Sequence, residues 1–252
     1  MTTTMLALAA GAVAPVGAQD TEDFQWEGRL EAGRLLEVKG VNGRVEAEPA
    51  TGATAVVRAE KRGDRSDPRE VRIEVVEHAD GVTICAVYPH PRGRNGCEPG
   101  RDWESSVRDN DVRVHFSVRV PPGVRFYGGT VNGDVEIRDL DADVEARTVN
   151  GGVEVSTRGM AEASTVNGSI RALMGRAPDR PVKFRTVNGA IELDLPDGAG
   201  VDVDAEWVNG GLESDLPVTL TGRVSRRHLR GRIGDGGPLM ELSTVNGSIR
   251  IR

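Results

Sequence analysis

Apolar and polar residues alternate along most of this chain. Val182, Phe184 and Thr186 fall on one face, with Lys183 and Arg185 on the other; after a short turn, Ile191, Leu193 and Leu195 share a face, with Glu192 and Asp194 between them. Val144, Ala146, Thr148, Val153 and Val155 repeat the arrangement, with Glu145, Arg147 and Glu154 outside. A period of two is the signature of a strand with one buried face. Residues 35–47 and 112–120 alternate in the same way, the latter stopped by Pro121, Pro122 and Gly123. Residues 71–75 and 82–87 flank His78, Ala79, Asp80 and Gly81, which reads as a hairpin. No segment carries helical periodicity, so the fold class expected is all-β.

The alternation is organised by a repeat. Val-Asn-Gly occurs seven times, with Val at positions 41, 131, 149, 166, 187, 208 and 245, and from the second copy onward the gaps are 18, 17, 21, 21 and 37 residues. Residues 229–233 (LRGRI) share the apolar-x-Gly-x-Ile skeleton of VNGSI, and counting them as a copy splits the long gap into 21 and 16. A recurrence of this kind marks a solenoid. The expectation is a single-chain β-solenoid, or β-helix, of 16–21-residue coils over residues 127–252, following a longer-stranded N-terminal β module over 19–126. An Asn-Gly between strands also suits an antiparallel hairpin. The fixed interval, with Thr before most copies and Ile or Val after them, favours parallel coils stacked about 4.8 Å apart, with Asn-Gly bending the chain through positive φ.

Parity then assigns faces. Thr130, Thr148, Thr165, Thr186 and Thr244 share the inward face of the preceding apolar residues, and Asn132, Asn150, Asn167, Asn188, Asn209 and Asn246 share that parity. Stacked inward, these side chains would form an amide ladder; the alternative is a solvated turn. Trp207 stands in the Thr place of one coil as a volume filler. Val131, Val149, Val166, Val187, Val208 and Val245 would point outward as an apolar contact stripe, unless a bulge at the bend turns them into the core.

Composition narrows the class. Of 252 residues, 32 are Gly and only 4% are aromatic; 32 Lys and Arg against 39 Asp and Glu give a formal charge of −7. That acidic balance argues against a nucleic-acid partner. Residues 5–18 are apolar and small, and Val16-Gly17-Ala18 before Gln19 is a cleavage pattern, so 1–18 reads as an export signal, although no Lys or Arg precedes the apolar run. No run is long enough for a transmembrane segment. The chain is expected to be exported: periplasmic, cell-surface or secreted. The two cysteines, Cys85 and Cys97, then form a disulfide by default, stapling the Pro- and Gly-rich loop of residues 88–111.

The signal-like start, the early EVKGVNGRVEAEP segment (37–49), the tandem TVNG[DGSA][VI] repeats and the closing LRGRIGDGGPLMELSTVNGSIRIR (229–252) together resemble the bacterial putative-adhesin family of envelope β-solenoid proteins, a domain of unknown function. The resemblance covers nearly all of the chain after residue 18. It implies an envelope or secreted location and brings no catalytic residues.

Recognisable chemistry is sparse. No nucleophile elbow, phosphate loop or zinc spacing is present, and no metal or cofactor is expected. Asp139, Asp141 and Asp143 begin like a calcium loop, but Val144 stands where Gly is needed and Asn150 where the bidentate Glu is needed. Arg223, Arg226, Arg227, Arg230 and Arg232, with His228, form a basic cluster, either an anion-binding face or a solvated strand face. The reading is a non-enzymatic adhesion, scaffolding or surface-binding protein, its partner an envelope polymer, a surface protein or a second copy. The alternative is a carbohydrate-active enzyme on a β-helix scaffold.

Overall fold

The computed structural model describes residues 23–90, 95–100, 107–221 and 225–252. The expected export signal and Arg223 lie outside them. The chain is all-β; among the described residues the only helical element is one 3₁₀ turn, Pro68–Glu70.

In chain order the strands before the tandem repeats are β1 (Phe24–Arg29), β2 (Leu35–Lys39), β3 (Val45–Pro49), β4 (Thr54–Arg62), β5 (Arg72–His78), β6 (Gly81–Val87) and β7 (Arg113–Val120). The repeats then supply β8 (Arg125–Gly129), β9 (Val135–Leu140), β10 (Val144–Arg147), β11 (Val153–Thr157), β12 (Ala161–Ser164), β13 (Ile170–Met174), β14 (Val182–Arg185) and β15 (Ile191–Asp194). The chain closes with β16 (Val201–Asn209), β17 (Leu212–Ser214), β18 (Val218–Leu220), β19 (His228–Ile233), β20 (Leu239–Asn246) and β21 (Ile249–Ile251).

These strands form two open mixed sheets. The first runs β1-β4-β7-β3-β9-β11-β13-β15-β21-β17, the second β18-β19-β16-β20-β14-β12-β10-β8-β2-β6-β5. Each Val-Asn-Gly joins a strand of the second sheet to a strand of the first. Successive strands pair in parallel with equivalent residues opposite one another, such as Val144 with Ala161, and Val153 with both Val135 and Ile170. The inward residues of both sheets form one continuous apolar core, from Leu30 to Ile251. Each fully buried Val, Ile, Leu or Phe there contributes about 1.5–3 kcal/mol. Trp207 pairs in register with Thr244 and packs half-buried against this core.

Three features depart from the sequence reading. First, residues 229–233 are not a coil of the stack: β19 runs antiparallel to β16, with Val203 opposite Gly231. LRGRI has the strand parity of the motif but lacks its Asn and its preceding Thr, so nothing bends the chain there. Second, the stack does not follow chain order. The C-terminal pair β20/β21 sits between β14/β15 and β16/β17. Third, the boundary expected at residue 126 falls inside β8, which pairs with β2 on one side and β10 on the other, so both sheets pass through it. Strands β6 and β7 pair in parallel with β2 and β3 and extend the stack beyond the first motif. Antiparallel strands then cover three of the four ends, β5 on β6, β4 and β1 beyond β7, β19 and β18 beyond β16, while β17 is left as the edge of the first sheet. Such covering blunts edges that would otherwise template further pairing.

Cys85 and Cys97 are disulfide-bonded, and Glu98 and Gly100, just after the bond, lie against the outer face of the second sheet. There Lys39 and Glu37 are buried together, 3.6 Å apart. Lys39 Nζ donates to the carbonyls of Glu98 and Gly100, while Gly100 N and the Thr83 hydroxyl donate to Glu37. Burial pushes the Lys39 ammonium below its ordinary value, against the opposing pull of Glu37.

Candidate functional site

The bend at each motif is the most repeated structure in the molecule. At the Val149–Gly151 bend, Val149 N and Asn150 N both donate to Val131 O, at 3.3 and 2.7 Å. Two consecutive N–H groups on one acceptor break the alternation, as in a bulge. Val and Asn therefore both face outward, and alternation resumes at Val153. The inward placement of Asn132, Asn150, Asn167, Asn188, Asn209 and Asn246 is thus corrected: all six are exposed.

Their side chains are nonetheless hydrogen-bonded to one another. Asn132 Nδ2 donates to Asn42 Oδ1, Asn150 to Asn132, Asn167 to Asn150, Asn188 to Asn167, Asn246 to Asn188, and Asn209 to Asn246, all at 2.7–2.8 Å. Every amide points the same way, so each bond polarises the next.

The buried threonines complete the bend from inside. Thr130, Thr148, Thr165, Thr186 and Thr244 each donate Oγ1 to the motif-Gly carbonyl of the adjacent layer, at 2.8–2.9 Å. Each buried hydroxyl thus finds an acceptor, as burial requires. The glycines answer to packing more than to backbone conformation: of the motif glycines, only Gly43, Gly133 and Gly210 have positive φ. A Cβ on Gly151, Gly168, Gly189 or Gly247 would stand 1.9–2.0 Å from the glycine oxygen of the layer beside it.

Beside the amide row runs the valine row. Val149, Val166, Val187 and Val245 are each 38% exposed and Val208 is 42% exposed, while Val131 is half-buried and Val41 buried. Both polar and apolar rows follow the strand spacing of about 4.8 Å.

The basic cluster is divided. Arg226 and Arg227 are exposed in the turn before β19. Arg230 pairs with Asp204 at 2.8 Å and Arg232 with Asp202 at 3.3 Å, because antiparallel pairing sets the basic face of β19 across from the acidic face of β16. Two of the five arginines that suggested an anion site, Arg230 and Arg232, are thus balanced within the sheet. The same pairing gathers Asp204, Glu206 and His228, whose ligand-type atoms lie within 4.8 Å of one another. Sequence spacing did not show this group, because its residues meet only through the pairing of β16 with β19. Asp204 accepts from His228 at 2.7 Å and from Arg230; burial raises its carboxyl, but these bonds outweigh burial and hold it below the ordinary range.

An outer cleft on the second sheet, about 560 Å³, is lined by Glu145, Arg147, Glu162, Ser164, Arg180, Lys183 and Arg185. Arg147 pairs with Glu145, Arg180 with Glu162 and Asp143, and Lys183 and Arg185 with Glu241. The calcium-like acidic stretch is spent on turns: Asp139 accepts from Ser156, and Asp143 from Met160 N and Arg176. Among the described residues, no helix is long and apolar enough to cross a membrane.

The molecule is therefore an all-β protein with two sheets joined by a ladder-lined edge. No protein-family model matches the chain, and no curated protein does. Its backbone is similar to the crystal structure of a "putative cell adhesion protein" from Clostridium sporogenes, at 11% identity, covering 91% of this chain and 99% of that one, with a TM-score of 0.48. It is also similar to a "putative adhesin" from Bacteroides fragilis, at 11% identity, covering 92% and 97%, with a TM-score of 0.37.

Proposed function

We propose that this is a non-enzymatic, exported β-solenoid of the cell envelope, acting in adhesion or scaffolding, and that its valine edge is a lateral contact surface for a second copy of the chain. The observation that carries the reading is the exposed row Val149, Val166, Val187, Val245 and Val208 beside a continuous amide row. Scattered exposed valines need no explanation, whereas a contiguous row does. A second copy is the favoured occupant because a row repeating at strand spacing is matched best by an identical row, as in an isologous two-fold contact. The row is narrow, so one contact is weak and several in an assembly act together. The disulfide supports export, since such bonds persist in oxidising compartments.

The test is the triple variant Val149→Thr, Val166→Thr, Val187→Thr, compared with the parent by sedimentation over a concentration series and by thermal melting. The expected outcome is weaker association with little change in melting temperature. A parent that stays monomeric throughout, or a variant that associates like the parent, overturns the contact surface. A glycan array with a glycosidase and lyase screen tests the non-enzymatic reading separately; turnover of any glycan would reject it.

A further inference from the structure

The bends also differ in how well they protect their own covalent structure. In an Asn-Gly pair the glycine nitrogen can attack the Asn side-chain carbonyl, because glycine has no side chain to obstruct the approach. In six of the seven motifs that nitrogen is occupied. Gly43, Gly133, Gly151, Gly168, Gly189 and Gly247 each donate N–H to the Asn backbone carbonyl of the next layer, at 2.8–3.0 Å. The Asn side chains of Asn132, Asn150, Asn167, Asn188 and Asn246 are also held at both ends, donating to one neighbour and accepting from the other.

The seventh motif is the last layer of the stack. Asn209 donates to Asn246, but no further amide donates to it, and among the described residues the exposed Gly210 N–H has no acceptor. Its layer lies at the open end of the first sheet, where β17 is the edge strand.

We propose that Asn209–Gly210 is a self-modifying site that deamidates in the folded protein, while the stack preserves the six other motifs. The Gly210 nitrogen gives up its proton to solvent and bonds to Asn209 Cγ. The Cγ–Nδ2 bond breaks and the amide group leaves as ammonia, taking up a proton. The cyclic imide then adds one water and opens at either carbonyl, leaving aspartate or isoaspartate. Neither product has an amide to donate to Asn246 Oδ1, so the reaction removes the last rung and places a negative charge at the end of the stack.

The chain contains its own control. Residues 149–152 and 208–211 are both Val-Asn-Gly-Gly, so local sequence is the same and only the position in the stack differs. Folded protein is aged in mildly alkaline buffer prepared with oxygen-18 water, then digested and mapped by mass spectrometry, with a parallel sample aged in denaturant. The Asn95–Gly96 peptide from the loop is scored separately. In folded protein the Asn209 peptide should gain the label at least about ten-fold faster than the Asn150 peptide, the factor that about 1.4 kcal/mol of added barrier supplies. In denaturant the two rates should converge, and Asn209→Gln should remove the fast event. Equal rates in the folded protein, or a difference that persists in denaturant, would overturn the proposal.

Discussion

Every Asn of the ladder after Asn42 is exposed, and this decides what a substitution there costs. Asn167 donates to Asn150 and accepts from Asn188. Replacing it with Ala breaks both bonds, but water can reach the freed groups, so the cost is that of ordinary hydrogen bonds, about 0.5–1.5 kcal/mol in urea unfolding, and not that of buried unsatisfied amides. Asn167→Asp is more informative. An ionised carboxylate can accept from Asn188 but faces the Asn150 oxygen with no proton to donate, whereas the protonated acid can serve both neighbours. The neutral form suits the folded state, which raises the folded pKa above the unfolded value of about 3.9. The variant should therefore melt close to the parent in acid and lose ground as the pH rises through that range. A melting difference independent of pH would show that this side chain takes no part in the ladder.

At the scale of the strand and its bend, the sequence carried a good deal. The period-two faces of β10 and β11 and of β14 and β15, the buried threonines and the hairpin of β5 and β6 are all legible in local pattern, because burial of one face imposes alternation. The outward turn of Asn is not legible, since it depends on Val149 N and Asn150 N sharing one carbonyl from the layer beside them. The role of glycine is also set between layers. Gly168→Ala would drive a Cβ to 1.9 Å from Gly151 O, whereas Gly152→Ala finds its nearest neighbours at 3.7 Å. The first should cost about 2–3 kcal/mol through forced separation of the layers, and the second should be neutral or slightly stabilising by stiffening the unfolded chain. Thermal melts of the two variants check this directly; similar losses in both would mean that loss of backbone freedom, not layer spacing, governs these positions.

Over the whole molecule, the order of the layers was hidden because spacing and parity are local, whereas the choice of neighbour is not. The copy at Val245 looks like a simple continuation, yet its strands lie between those of the copies at Val187 and Val208. The disulfide and its Pro- and Gly-rich stretch were legible in the sequence, but not the buried Lys39–Glu37 pair that Glu98 and Gly100 cover. Replacing Cys85 and Cys97 with Ala should lower stability by about 2–3 kcal/mol, the value for a short closed loop. It should also make the amides of β2 and β6 exchange faster as the cover over Lys39 loosens. Hydrogen exchange by mass spectrometry reads this, and unchanged protection on β2 would show that the cover holds without its staple.

The interleaving of β20/β21 also bears on the order in which the protein can be made. A chain of stacked repeats can usually add layers one at a time as its sequence becomes available. Here the layer that follows β14/β15 is built from residues 239–251, which come after β16 to β19 in the sequence. Synthesis from the N-terminus, or passage through a narrow pore, therefore delivers β16 and β17 before β20 and β21, the strands they pair with in parallel. Until residues 239–251 arrive, the half-built molecule presents the unpaired edges of β14 and β15, the kind of exposed strand edge that invites aggregation. Residues 239–251 join the two parts of the stack, so a chain cut short before β20 lacks the layer that connects β16 and β17 to the rest.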